Sequence, residues 1–114
     1  MPVKPDADTP LTPAIHLILL ALLSGDRHGY AIMQAVETLT GGDTRLGPGT
    51  LYSSIKKMIA GGLIEESGER PDPKLDDERR RYYRISALGR RVVATETDRL
   101  ERLVRYSRDY VRAI

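Results

Sequence analysis

Thr50, Ser53, Lys56 and Lys57 recur at three- and four-residue spacing within "GPGTLYSSIKKMIAGGLIEE", residues 47–66. At roughly 100° per residue on a helix they share one side, while Leu51, Ile55, Met58 and Ile59 cluster on the other, with Tyr52 and Ser54 at the borders. Hydroxyls and lysine ammoniums donate hydrogen bonds to anionic oxygens. Near a helix start, the free N–H groups and the positive end of the dipole add to that attraction. No acid stands between Thr50 and Leu63, so the face lacks the Glu–Lys pairs usual on a helix that is merely solvated. The composition suits a helix in a DNA major groove; a plain solvated face is the alternative.

Other chemistry finds no support. His16 and His28 are the only imidazoles, and neither has a carboxylate constellation around it in the sequence. The lack of cysteine removes thiol nucleophiles, zinc–thiolate sites and disulfides together, and fits a reducing cytosol. "GPGT" lacks the Gly-Lys-Ser/Thr of a phosphate loop, and "GERPDPKLDDE" has no calcium-loop spacing. No catalytic residue, metal or cofactor is expected, and no enzyme. With 114 residues the chain fits a single domain. Its start, "MPVKPDADTP", does not read as a signal peptide. The apolar run over 14–23 is far shorter than the ~20 residues a membrane span needs, so a cytoplasmic location without a membrane partner is expected. A formal charge of +2 and a pI near 9.0 permit a nucleic-acid partner without arguing for one.

The elements that must position this face can be read along the chain. Residues 1–10 read as a disordered arm. Thr12 and Pro13 suit the N-cap and first position of a helix, which runs to Leu23, is apolar almost all round apart from His16, and must be covered on most sides. A second helix, about Gly29 to Leu39, places Tyr30, Met33 (or Ile32) and Val36 at helical spacing. After the turn at Thr40–Asp43, Pro48 starts the third helix. "RRYYRIS" alternates Tyr83 and Ile85 against Tyr82 and Arg84, as a strand does. Leu63–Glu66 is its expected antiparallel partner, with the prolines of "SGERPDPKLDDERR" at the hairpin tip. The expected fold is mostly α with a small β-hairpin. A winged helix-turn-helix over 11–86 is followed by a long helix over 87–114, with Ser86 as its N-cap.

Two further surfaces follow from this layout. Arg79, Arg80, Arg81 and Arg84, interleaved with Tyr82 and Tyr83, concentrate positive charge on one hairpin arm that could grip phosphates. Asp76, Asp77 and Glu78 could instead pair with it locally. On the last helix Val93, Leu100, Leu103, Val104, Tyr110, Val111 and Ile114 fall on one side at near-heptad spacing. Such a stripe reads as a dimerisation face; folding back onto its own domain is the alternative.

Three blocks give the chain a resemblance to the PadR family of winged-helix transcriptional regulators: His28-Gly29-Tyr30, Gly49-Thr50-Leu51-Tyr52, and Tyr83-Arg84-Ile85-Ser86-Ala87-Leu88-Gly89. Each is weak alone; in this order and spacing they are strong. The resemblance implies a homodimer that binds a palindromic operator on double-stranded DNA, commonly to repress, and a small apolar or aromatic effector that releases it. Carried onto matching positions, it nominates Tyr30, Thr50, Tyr52, Ser53, Lys56, Lys57, Arg80 and Arg81 for DNA. With the first and last helices forming the dimer, the interface residues would be Ile15, Ile18, Leu19, Val93, Leu100, Leu103, Val104, Ser107, Val111 and Ile114. Members often have Ser where this chain has Gly47 and Pro where it has Ser53. The tryptophan on which some members stack flat ligands has no counterpart, since Trp and Phe are absent. A winged-helix adaptor that binds protein in place of DNA is the competing function.

Overall fold

A computed structural model describes residues 11–69 and 81–112. Within them α1 (Pro13–Leu22), α2 (Gly29–Leu39) and α3 (Pro48–Ala60) precede a hairpin of β2 (Ile64–Glu69) and β3 (Arg81–Ile85), and α4 (Ala87–Val111) follows. The expected arm over 1–10, the hairpin tip with Arg80, and Ile114 lie outside the described residues.

Local chemistry sets the helix ends. The Thr12 hydroxyl accepts the Ile15 N–H at 3.3 Å, with Pro13 at the first helical position, as the sequence suggests. At the other end of α1, the Arg27 guanidinium donates to the Ala21 carbonyl at 2.8 Å, a cation at the negative end of the helix dipole. The Gly pair after α3 closes a Schellman motif. The Leu63 N–H reaches the Met58 carbonyl at 2.9 Å and the Gly62 N–H reaches Ile59 at 3.0 Å. That geometry places Gly62 at φ +75°, where a side chain would be strained.

The sheet has three strands rather than the two expected. β1 (Arg27–His28) pairs antiparallel with β3, giving the order β1-β3-β2. Two residues are too few to show alternation, so nothing in the sequence marks this strand. The hairpin pairs Ile64 with Ile85 and Glu65 with Arg84, then shifts register between Glu66 and Gly68, so that Gly68 faces Tyr82. This bulge adds a residue to β2 and carries the strand to Glu69, beyond the expected end at Glu66.

The core is shared by every long element. Ile18, Leu19 and Leu22 of α1 pack with Ile32 and Val36 of α2, Leu51, Ile55 and Met58 of α3, Ile64, Tyr83 and Ile85 of the sheet, and Val92 and Val93 of α4. On α2 the buried apolar pair is Ile32 and Val36, while Met33 is half-buried and Tyr30 points outward. Ile59 leaves the expected apolar cluster of α3 and is exposed; Ser54 is buried in its place.

The start of α4 is locked to the end of α3. The Ser86 hydroxyl accepts the Gly89 N–H at 3.0 Å and lies 2.6 Å from the Gly62 carbonyl and 2.9 Å from that of Leu63, to which it can donate. The Ser86 N–H adds a 3.0 Å bond to Leu63. A Cβ built on Gly89 would collide with the Leu63 carbonyl oxygen and stand 2.8 Å from Ile85 Cγ1. Gly89→Ala gains about 1 kcal/mol in helix propensity, but the obstacle is backbone and cannot turn aside. Overpacking of about 1–3 kcal/mol exceeds or cancels that gain, so thermal denaturation should show no rise in Tm.

Candidate nucleic-acid interface

The four polar residues of α3 do share an exposed face: Thr50, Ser53, Lys56 and Lys57 are all exposed, while Leu51, Ile55 and Met58 on the opposite side are buried. The Ser53 hydroxyl donates back to the Thr50 carbonyl at 3.2 Å, which leaves its oxygen lone pairs outward. Neither lysine is paired with an acid among the described residues. At the helix start Gly47 is the N-cap and makes no side-chain cap bond. The N–H groups of Gly49 and Thr50 therefore lie at an exposed, uncapped N-terminus beside the hydroxyls. Hydroxyls, ammoniums and free amides on one surface make a face that attracts anions.

Tyr52 does not join that face. It is half-buried, and its phenol lies across the first turn of α2: a Cβ on Gly29 would stand 2.5 Å from the Tyr52 hydroxyl oxygen and 3.0 Å from Cζ. The ring's far end packs against Gly29, which gives Tyr52 a packing role at the border of the face nominated for DNA. Tyr30, on the same turn of α2, is 51% exposed.

The wing differs in its charge from the sequence expectation. Arg84 pairs with Glu65 at 3.1 Å, and Arg81 lies 3.9 Å from Glu66. These acids come from the opposite strand, so cross-strand register supplies the neutralising partners. Both pairs are more than half exposed on the arginine side and contribute little to stability. They do leave the described part of the wing with no excess of positive charge, and Arg81 would have to leave Glu66 to meet a phosphate. Among the described residues Lys56 and Lys57 of α3 have no acidic partner.

The residues nominated for a dimer divide. Ile18 and Leu19 are 0% exposed and Val93 is 6% exposed. They belong to the core of the single chain and have no surface to offer a partner, because α1 is covered by α2, α3 and α4. Ile15 is half-buried, and Leu100, Leu103, Val104, Ser107 and Val111 are exposed along α4. The last buried residue of α4 is Val93, so everything from Thr97 to Arg112 leaves the core. There Glu96 takes two hydrogen bonds from Arg99, at 2.6 and 2.9 Å, which hold its carboxyl below the usual range.

Sequence reasoning missed His28. It caps α2, with Nδ1 accepting the Ala31 N–H at 3.1 Å, and its ring stands edge-on to Tyr82, centroids 5.3 Å apart at 85°. The His-Gly-Tyr motif held the signal, but His is not among the usual N-cap residues.

Three helices carrying a polar, exposed third helix beside a β-hairpin define a winged helix-turn-helix protein. The model of the transcriptional regulator PadR-like family matches residues 18–95, and the chain belongs to that family. Over 87 residues, 76% of this chain, it is 34% identical to an uncharacterized 37.1 kDa protein in transposon TN4556 of Streptomyces fradiae, of which it spans 23%. Its fold is similar to a PadR family transcription regulator from Clostridium difficile, with a TM-score of 0.69, 20% identity and coverage of 88% of this chain and 99% of that one. It is also similar to Bacillus subtilis PadR in complex with operator DNA, with a TM-score of 0.62, 21% identity and coverage of 75% and 46%. No helix among the described residues is long and apolar enough to cross a membrane.

The Gly29–Tyr52 approach makes a stability prediction. Gly29→Ala should cost about 1–3 kcal/mol by overpacking, and most of that cost should vanish in a Tyr52→Ala background, where the phenol is gone. Chemical denaturation of the two single variants and the double variant measures the coupling; additive losses would contradict the close approach of ring and backbone.

Proposed function

We propose that the protein binds double-stranded DNA as a homodimer and regulates transcription, as a repressor, from a palindromic operator. The observation that carries this reading is the acid-free exposed face of α3, Thr50, Ser53, Lys56 and Lys57, at an uncapped helix start. On a winged-helix scaffold that face fits the major groove, with Tyr30 and the wing flanking it on the backbone. The family and the fold shared with an operator-bound PadR support it.

The homodimer rests on α4. Leu103, Val104 and Val111 are 54%, 47% and 65% exposed, on one side of a helix segment with no core of its own. A second copy of the same stripe would cover them by coiled-coil-like packing. Release by a small apolar or aromatic effector completes the proposed regulation. With no Trp or Phe in the chain, flat stacking would fall to Tyr106 and Tyr110, whose rings lie 4.7 Å apart on the exposed helix.

Selection from a random-sequence duplex pool tests the reading. The expected winner carries two inverted half-sites whose centres lie about 10 base pairs, or a multiple, apart. No enrichment at low salt would overturn DNA binding in favour of a protein-binding adaptor. With the selected duplex, Lys56→Ala/Lys57→Ala should weaken binding and lower the salt slope by about 2, since each phosphate that a lysine neutralises adds about 0.9 to the slope. Val104→Asp should give a folded monomer in sedimentation that loses operator affinity. Dimer persistence would refute α4 as the interface.

A further inference from the structure

One ring touches both halves of the proposed reading surface. His28 begins α2 by accepting the Ala31 N–H on Nδ1, and its ring edge meets Tyr82 of β3, its partner in the strand pairing. The next residue, Gly29, carries the phenol of Tyr52 from α3. Ser, Asp or Asn would cap the helix as well or better, but none has a ring that could also reach Tyr82. The second contact is what explains a histidine at this position.

We infer that His28 is a positioning residue that couples the helix-turn-helix to the wing, and that it acts as the neutral imidazole with its Nδ1 lone pair directed into α2. The inference rests on the DNA-binding reading above for its effect on affinity, and on the geometry alone for its effect on the wing. Nδ1 can accept a hydrogen bond only while unprotonated; an imidazolium offers two donors and no acceptor. Protonation therefore removes the cap and sets a charge against the α2 N-terminus, whose dipole is positive. Among the described residues, the ring meets Tyr82 of β3, Tyr52 of α3 lies against the next residue, and Asp26, Arg27 and Tyr30 are its titratable and charged neighbours in the chain. Arg27 is turned onto α1 and Arg81 toward Glu66.

The test compares wild type, His28→Asn and His16→Gln on the duplex selected by the wild-type protein. Wild-type affinity should fall roughly tenfold as the pH is lowered from about 8 to about 5.5, because an imidazolium cannot accept the Ala31 N–H. His28→Asn supplies a cap that does not titrate, so its profile should be flat. At pH 8 it should bind several-fold more weakly than wild type, because the ring packing on Tyr82 is gone, with an unchanged salt slope. His16→Gln, altering the only other histidine, should keep the wild-type fall. A His28→Asn profile parallel to wild type, equal affinity at pH 8, or a slope lowered by the equivalent of one phosphate would overturn the inference; the last would make His28 a direct DNA contact. Hydrogen exchange separates this result from failure of DNA binding itself. If no duplex is selected, the DNA reading falls, and faster exchange at the amides of Arg81–Ile85 in His28→Asn still supports the coupling. Unchanged exchange there refutes it.

Discussion

The approach of the Tyr52 phenol to Gly29 is the constraint on which the proposed reading surface depends. An α3 that presents Thr50, Ser53, Lys56 and Lys57 outward must bury Leu51, Ile55 and Met58 inward, and Tyr52 then falls at the seam with α2. A helix crossing is set by the bulk at its contact point. A side chain on Gly29 would have to displace the Tyr52 phenol from this seam. The same turn of α2 is started by His28, which also meets the wing. Contacts that bear on helix orientation and on the wing thus lie within a few residues of one another, at the edge of the core.

Electrostatics on this surface are uneven in a way that residue counts conceal. The chain is almost balanced, at +2. Glu65 and Glu66 neutralise the described wing arginines across the hairpin, while α3 has no acid at all along its exposed face. Exposed pairs are weak and exchange readily with other anions, so the wing can adapt to a phosphate by giving up a glutamate. The lysines of α3 have no competitor to give up. A face arranged this way favours a fixed primary contact on α3 and an adjustable one on the wing.

Much of this was legible in the sequence because local rules and tertiary needs coincide there. Thr12 and Ser86 are caps by residue type, Gly61-Gly62 is a helix stop by residue type, and Tyr83/Ile85 against Tyr82/Arg84 is alternation that the sheet confirms. The third motif acquires a reason beyond capping: Ser86 and Gly89 enclose the Leu63 carbonyl, where α3, the hairpin and α4 meet. What was illegible depends on contacts distant in sequence. β1 is two residues long, His28 caps without being a usual cap residue, and Glu65 and Glu66 find their arginines only through the register of β2 on β3. Ile18 and Leu19 enter the interface on the resemblance alone, and on an α1 apolar almost all round no periodicity tells which side the rest of the chain covers.

The last helix shows where the single chain stops being sufficient. Up to Val93, α4 is held by core packing and by the Ser86 cap; past Glu96 it continues for about four turns with every residue exposed to Arg112. Isolated helices of that length are marginal in water, and exposed pairs such as Glu96–Arg99 and Glu101–Arg105 contribute little. Covering a side chain such as Leu103 or Val104 contributes about 1.5 kcal/mol or more, so two or three apolar neighbours outweigh every intrahelical pair. The segment's order is therefore best supplied from outside the chain. A second copy would supply it by symmetric packing of the same stripe, and the two α3 faces would then be held at one separation. In that dimer the helix that carries no DNA contact is the one that sets the spacing of those that do.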